Sequence, residues 1–176
     1  MARTSRLWIP LLVGLLVAGA LGVGGGGAVA TEPRVTTASI MVPASAFIPT
    51  KDDFDYDNGG DSLQVTSGTG AFIAPLSFPV PVVNIKKITV YAHDNTASAL
   101  ISASVYRSRP ADGEEDHAGS VATVDSSADP QVVSMTAISP RRVTTATHGP
   151  YLWVWFTGSG VRLYGVKVTY SYETGA

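Results

Sequence analysis

The chain has 176 residues, no cysteine, and 12 basic against 14 acidic side chains, for a formal charge of −2. That length is a single domain once a leader is removed, and it suffices to bury about two-thirds of its unfolded surface without disulfides. Beyond the pairs Lys86-Lys87 and Arg141-Arg142 there is no cluster of cations to neutralise phosphates, which excludes nucleic acid as a partner.

Residues 1–30 read as a secretory leader. Arg3 and Arg6 form a short basic region, the run "LWIPLLVGLLVAGALGV" (7–23) is apolar and uncharged, and Ala28-Val29-Ala30 supplies the small residues that a signal peptidase requires. Cleavage is expected after Ala30. The alternative is a retained anchor, but the run stands at the short edge of what spans a bilayer, and Pro10 and its glycines weaken it as a helix. Without Arg3 and Arg6, ten basic residues face fourteen acidic ones. The mature chain, with a formal charge of −4, is expected outside the cell or in its envelope, with no membrane contact.

Residues 31–37 are expected to be a flexible lead, and residues 38–174 one domain. No segment carries the period of an amphipathic helix. Val, Thr, Ser, Ile and Tyr abound instead, the residues that suit a half-buried pleated surface. Turn signals recur every eight to fourteen residues or so, the spacing of a sandwich or barrel. "SIMVPA" (39–44) is the first short strand. "KDDFDYDNGGD" (51–61) follows, with aspartates at 52, 53, 55, 57 and 61.

That run admits two readings. Asp53, Asp55 and Asp57 match positions 1, 3 and 5 of an EF-hand loop, but Asn58 replaces the turn glycine, Gln64 replaces the bidentate glutamate, and no helices flank it. A looser Ca²⁺ site from Asp53, Asp55, Asp57 and Asp61 remains open, since calcium accepts six to eight oxygens of mixed origin. If "DFDYD" is instead extended, the three aspartates share one face and Phe54 and Tyr56 the other. The run is then a charged edge strand anchored by aromatics, protected against edge-to-edge association.

"DSLQVTS" (61–67) and "GAFIAP" (70–75) are further strands. Pro75, Pro79 and Pro81 make "FIAPLSFPVPVV" (72–83) an edge or a crossover between sheets, because proline donates nothing to a ladder. Three antiparallel hairpins are then expected. "KKITVYAH" (86–93) pairs with "ALISASVYR" (99–107) through "DNTAS". "GSVATVDSS" (119–127) pairs with "QVVSMTAI" (131–138) through "SADP". "YLWVWFT" (151–157) pairs with "VRLYGVKVTYSY" (161–172) through "GSG". In the first, Ile88, Val90 and Ala92 take one face, and in its partner Ile101, Ala103 and Val105 oppose Ser102, Ser104 and Tyr106. Between them, "ADGEEDHAG" (111–119) reads as a solvated acidic loop. The total is about eight or nine strands in an all-β, antiparallel, jelly-roll-like sandwich.

In "YLWVWFT", Tyr151, Trp153 and Trp155 alternate with Leu152, Val154 and Phe156. Both faces are apolar, as in a central strand buried on both sides or one that meets a partner. Exposed, the tyrosine and tryptophans would stack on sugar rings or on a second copy of the chain. Tyr164, Tyr170 and Tyr172 are expected on the neighbouring strand, with Val166 and Val168.

The stretches "ASAFIPT", "SGTGAFIAP", "YAHDN" and "VRLYGVKVTYSY" together resemble secreted bacterial β-sandwich domains described as hypothetical exported proteins. The resemblance spans about residues 39–172. It implies export and a jelly-roll-like sandwich, and adds nothing about catalysis.

Catalytic signals are sparse. His93, His117 and His148 lack metal-ligand spacing, there is no G-x-S-x-G elbow, and no thiol is available. The leading expectation is a secreted, non-catalytic binding or structural module. It would bind carbohydrate or envelope polymer through Tyr151, Trp153 and Trp155, with a homo-oligomer as a further possibility. The alternative is a hydrolase whose triad or carboxylate pair assembles from loops.

Overall fold

A computed structural model describes residues 32–124 and 126–174. The expected leader lies outside them. Twelve strands form among the described residues: β1 (Arg34–Pro43), β2 (Ile48–Pro49), β3 (Asp55–Asn58), β4 (Leu63–Ser67), β5 (Gly70–Pro75) and β6 (Val82–Asp94) come first. They continue with β7 (Ile101–Arg109), β8 (Glu114–Ala122), β9 (Gln131–Met135), β10 (Arg142–Thr144), β11 (Gly149–Phe156) and β12 (Val161–Thr174). The expected eight or nine strands miss the short β2 and β10, which carry too few residues for an alternation to show, while β3 is the edge strand that the extended reading of "DFDYD" offered, beginning only at Asp55. Residues 34–37, expected as flexible, begin β1: Arg34 pairs with Thr174 and Thr37 with Ser171. The single apolar residue among them, Val35, shows no alternation, and the strand forms by pairing with the backbone of β12.

The strands form two antiparallel sheets, a jelly-roll-like sandwich. The first is built on β6 and β12, with β9 and β10 along the free side of β6 and with β1, β4 and β3 beyond β12. The second runs β2-β5-β11-β7-β8. All three expected hairpins are corrected by this arrangement. β6 and β7, β8 and β9, and β11 and β12 each lie in different sheets, so their links cross the sandwich instead of folding back within one sheet. Alternation marks a strand locally, but the same Gly- and Asp-rich turn serves a return in the plane or a step of about 10 Å to the facing sheet. The proline-marked stretch is a crossover as expected, with residues 76–81 leading from β5 to β6. True hairpins link β3 to β4, through Gly60 at φ 92°, and β7 to β8. Most of the expected acidic loop is therefore strand, since β8 begins at Glu114.

The core lies between the sheets. Ile88, Val90 and Ala92 of β6 face Ile101, Ala103 and Val105 of β7 and Leu152, Val154 and Phe156 of β11, all without solvent exposure. Each large apolar side chain so buried contributes about 1.5–3 kcal/mol. Phe72 packs edge-on against Phe156 at 5.5 Å, and Phe54 and Tyr56 stand edge-on to Phe72 at 5.4 and 5.3 Å. Tyr170 joins Val166 and Val168 inside as expected, but Tyr164 does not. The register of β12 against β6 slips between Leu163 and Gly165, which turns Tyr164 outward.

Candidate functional site

The central strand of the second sheet presents two unlike faces. Leu152, Val154 and Phe156 fill the core, while Tyr151 and Trp153 are half-buried and Trp155 is 40% exposed. The expectation of burial on both sides is corrected within this chain, because no layer packs on the outer face of the five-stranded sheet among the described residues. Residues i, i+2 and i+4 of a strand share a face about 6.8 Å apart, so the three rings make a row of roughly 14 Å along β11.

Register fixes what flanks the row. On the β5 side, Pro75, Ile73 and Ala71 stand opposite Tyr151, Trp153 and Trp155. On the β7 side the partners are Tyr106, Ser104 and Ser102. The tryptophans thus rise beside short side chains with hydroxyl groups, and at the tyrosine end the platform widens. Tyr106 stacks on Tyr151 with centroids 5.5 Å apart and planes 13° from parallel, and it meets Trp153 edge-on at 6.4 Å. The Tyr151 hydroxyl donates to Glu115 Oε1 at 2.8 Å. Burial, first, and then this carboxylate push the Tyr151 phenol well above its ordinary value, since both disfavour a phenolate there.

A bulge completes this end. Two residues of β8 oppose one of β7 near Val105, so Ala118 turns into the core and His117 and Ser120 both turn outward. His117 Nε2 lies 2.6 Å from Ser120 Oγ, which lies 2.7 Å from Ser104 Oγ. A triad needs a third group to orient the imidazole. His117 Nδ1 makes no hydrogen bond among the described residues, and the neighbouring acids are engaged elsewhere. Asp116 pairs with Arg107, Glu114 and Asp112 with Arg109, and Glu115 with Tyr151.

At the other end the row opens into a cleft of about 720 Å³, within the range that holds small ligands. Its walls are residues 50–55, the turn 67–71, Trp153 and Trp155. Gly70 shapes it: a Cβ there would stand 2.5 Å from the Phe54 ring, so only glycine lets that ring lie over the start of β5. The acidic run therefore borders the aromatic row, a juxtaposition that sequence spacing does not reveal.

The four aspartates considered for Ca²⁺ are divided between two places. Asp53 and Asp55 line the cleft. Asp57 accepts from Gln64 Nε2 at 3.5 Å and Asp61 from the Ser62 hydroxyl at 3.4 Å, on the β3–β4 hairpin. Among the described residues no group of three or more His, Asp or Glu side chains is placed to hold a metal ion. Sequence reasoning singled out Tyr151, Trp153 and Trp155, which the structure places together. It passed over Tyr106, Ser102 and Ser104 as site residues, although their shared face was visible in the alternation of β7.

No protein-family model matches the chain, and no curated protein does. Solved structures do. The C-terminal CBM6 of LamC, a marine laminarinase from Zobellia galactanivorans, aligns with 14% identity over 75% of this chain and 99% of its own, at a TM-score of 0.51. The CBM22-1–GH10 modules of Clostridium thermocellum xylanase 10B, in complex with xylohexaose, align at 13% identity over 79% of this chain and 28% of theirs, with a TM-score of 0.49. The likeness to the first is one of fold.

Proposed function

We propose that the chain is a secreted, non-catalytic carbohydrate-binding module whose ligand lies along the row Tyr151, Trp153 and Trp155. One observation carries the reading: three aromatic rings face outward on the central strand while their core-facing neighbours are wholly buried. Tyrosine and tryptophan expose apolar faces with a polar edge, which suits the faces and hydroxyls of sugar rings. Ser102 and Ser104 stand alongside to exchange hydrogen bonds with those hydroxyls. The sandwich shared with a CBM6 agrees with this reading. A row of this length favours an extended oligosaccharide or envelope polymer over a single sugar.

Titration calorimetry and affinity electrophoresis against soluble polysaccharides test the proposal. Trp155→Ala and Trp153→Ala each weaken binding tenfold or more, a loss of about 1.4 kcal/mol, with the circular dichroism unchanged. Binding that survives both substitutions, or no binding to any polysaccharide, removes it. Light scattering on the sugar-free chain addresses the competing occupant of the face, a second copy: a monomer leaves the rings free. Export belongs to the same reading, and N-terminal sequencing of secreted chain should begin at Thr31.

A further inference from the structure

Resting on that reading, the cleft at the Trp155 end adds a chemical preference. Its walls bring two indoles together with Asp52, Asp53 and Asp55, against Lys51 as the sole cation among its lining residues. Other acidic side chains of the β7–β8 and β3–β4 hairpins are engaged. Those of β8 and its turn pair with Arg107, Arg109 and Tyr151, and Asp57 and Asp61 with Gln64 and Ser62. The side-chain carboxylates of Asp52, Asp53 and Asp55 make no hydrogen bond or ion pair among the described residues. The cleft therefore combines flat apolar walls, uncommitted negative charge and room for a sugar-sized group.

We infer that this cleft takes a glycan unit bearing a free amine, a hexosamine that is not N-acetylated. The sugar face stacks on Trp155 or Trp153, as a neutral unit does along the rest of the row. Its ammonium meets the carboxylates and the indole faces, both of which attract a cation. A neutral or N-acetylated unit gains only the stacking. An acidic glycan meets repulsion, so the preference runs from amine to neutral to carboxylate or sulfate.

The purified chain is titrated at about pH 6, below the range in which an amine gives up its proton, with hexamers of glucosamine, N-acetylglucosamine and glucose, and with a lysine-rich peptide of matched charge. The glucosamine hexamer should bind at least tenfold tighter than either neutral hexamer, and about 0.5 M salt should erode that advantage. In Asp52→Asn/Asp53→Asn/Asp55→Asn the advantage disappears while neutral binding persists. Equal affinity for the three hexamers, or an unchanged preference in the triple variant, overturns the inference and leaves the carbohydrate reading standing. So does a peptide that binds as tightly as the glucosamine hexamer. Failure of every hexamer to bind overturns both.

Discussion

At the scale of single residues, Tyr151 joins the chemistry of the outer face to a measurable quantity. Its phenol is shielded by Tyr106 and donates to Glu115, so the folded chain favours the neutral form over the phenolate. A pKa raised in the folded state adds stability that is fully present below the unfolded value of about 10 and is lost as pH rises through the folded value. The absorbance of phenolate followed against pH should therefore show Tyr151, identified by its absence in Tyr151→Phe, ionising after the exposed tyrosines. Glu115→Gln should bring that step downward without returning it to 10, because burial is the larger cause. A step that does not move in Glu115→Gln would mean that the hydrogen bond does not hold the ring. The outward direction of this residue was the least legible feature of its strand. Tyr151, Trp153 and Trp155 carry apolar bodies as large as those of Leu152, Val154 and Phe156, and alternation separates two faces without saying which is inside. The one local cue is chemical: the polar edges of Tyr and Trp stand on one face, and Leu, Val and Phe on the other.

At the scale of elements, strands were legible and their partners were not. The faces of β6 and β7 follow from period two, with Ile88, Val90 and Ala92 buried in one and Ile101, Ala103 and Val105 in the other. What joins them is a link across the sandwich, held by a buried acid. Asp94 is 1% exposed, and its Oδ2 accepts from the Thr123 hydroxyl at 2.6 Å, while Oδ1 accepts from the Thr96 backbone N–H at 3.3 Å. Thr123 Oγ1 in turn accepts from the Ile101 N–H at 3.1 Å, so one hydroxyl ties the end of β6 to the start of β7. Thr123→Val keeps the shape and removes the donor, leaving a buried carboxylate and a buried N–H short of partners. Urea unfolding should record a loss of about 1–3 kcal/mol, and Thr123→Ser should restore most of it. A loss equal in the two variants would point to packing instead. Nothing in "DNTAS" discloses this role, because Thr123 lies 29 residues from Asp94 and meets it only after the sheets have closed.

For the whole molecule, the architecture depends on contacts between distant parts of the chain. β1 pairs only with the last ten residues of β12, from Pro43 opposite Gly165 to Arg34 opposite Thr174. Gly165 allows the close approach, since a Cβ there would stand 2.8 Å from the Val42 carbonyl oxygen. Deleting residues 32–43 should strip the edge from β12 and lower the thermal midpoint by roughly 10 °C or more, on the scale of 2–4 °C per kcal/mol for a chain of this size. A smaller shift would show β1 to be an ornament on an independently stable sandwich. The fold class was readable because composition and turn spacing are properties of the whole sequence. The meeting of the acidic run with the tryptophans was not, because it arises from the packing of the β3–β4 and β5 region beside β11.

The pairing of Arg34 with Thr174 has a practical consequence. Both ends of the folded domain emerge side by side from the seven-stranded sheet, while the aromatic row lies on the outer surface of the other layer. A neighbouring domain, reporter or surface tether joined at either end would leave the rings uncovered. Both attachment points also sit at the same end of one strand pair, so a pull between them would open the ladder of ten residue pairs from that end, one after another, like a zipper.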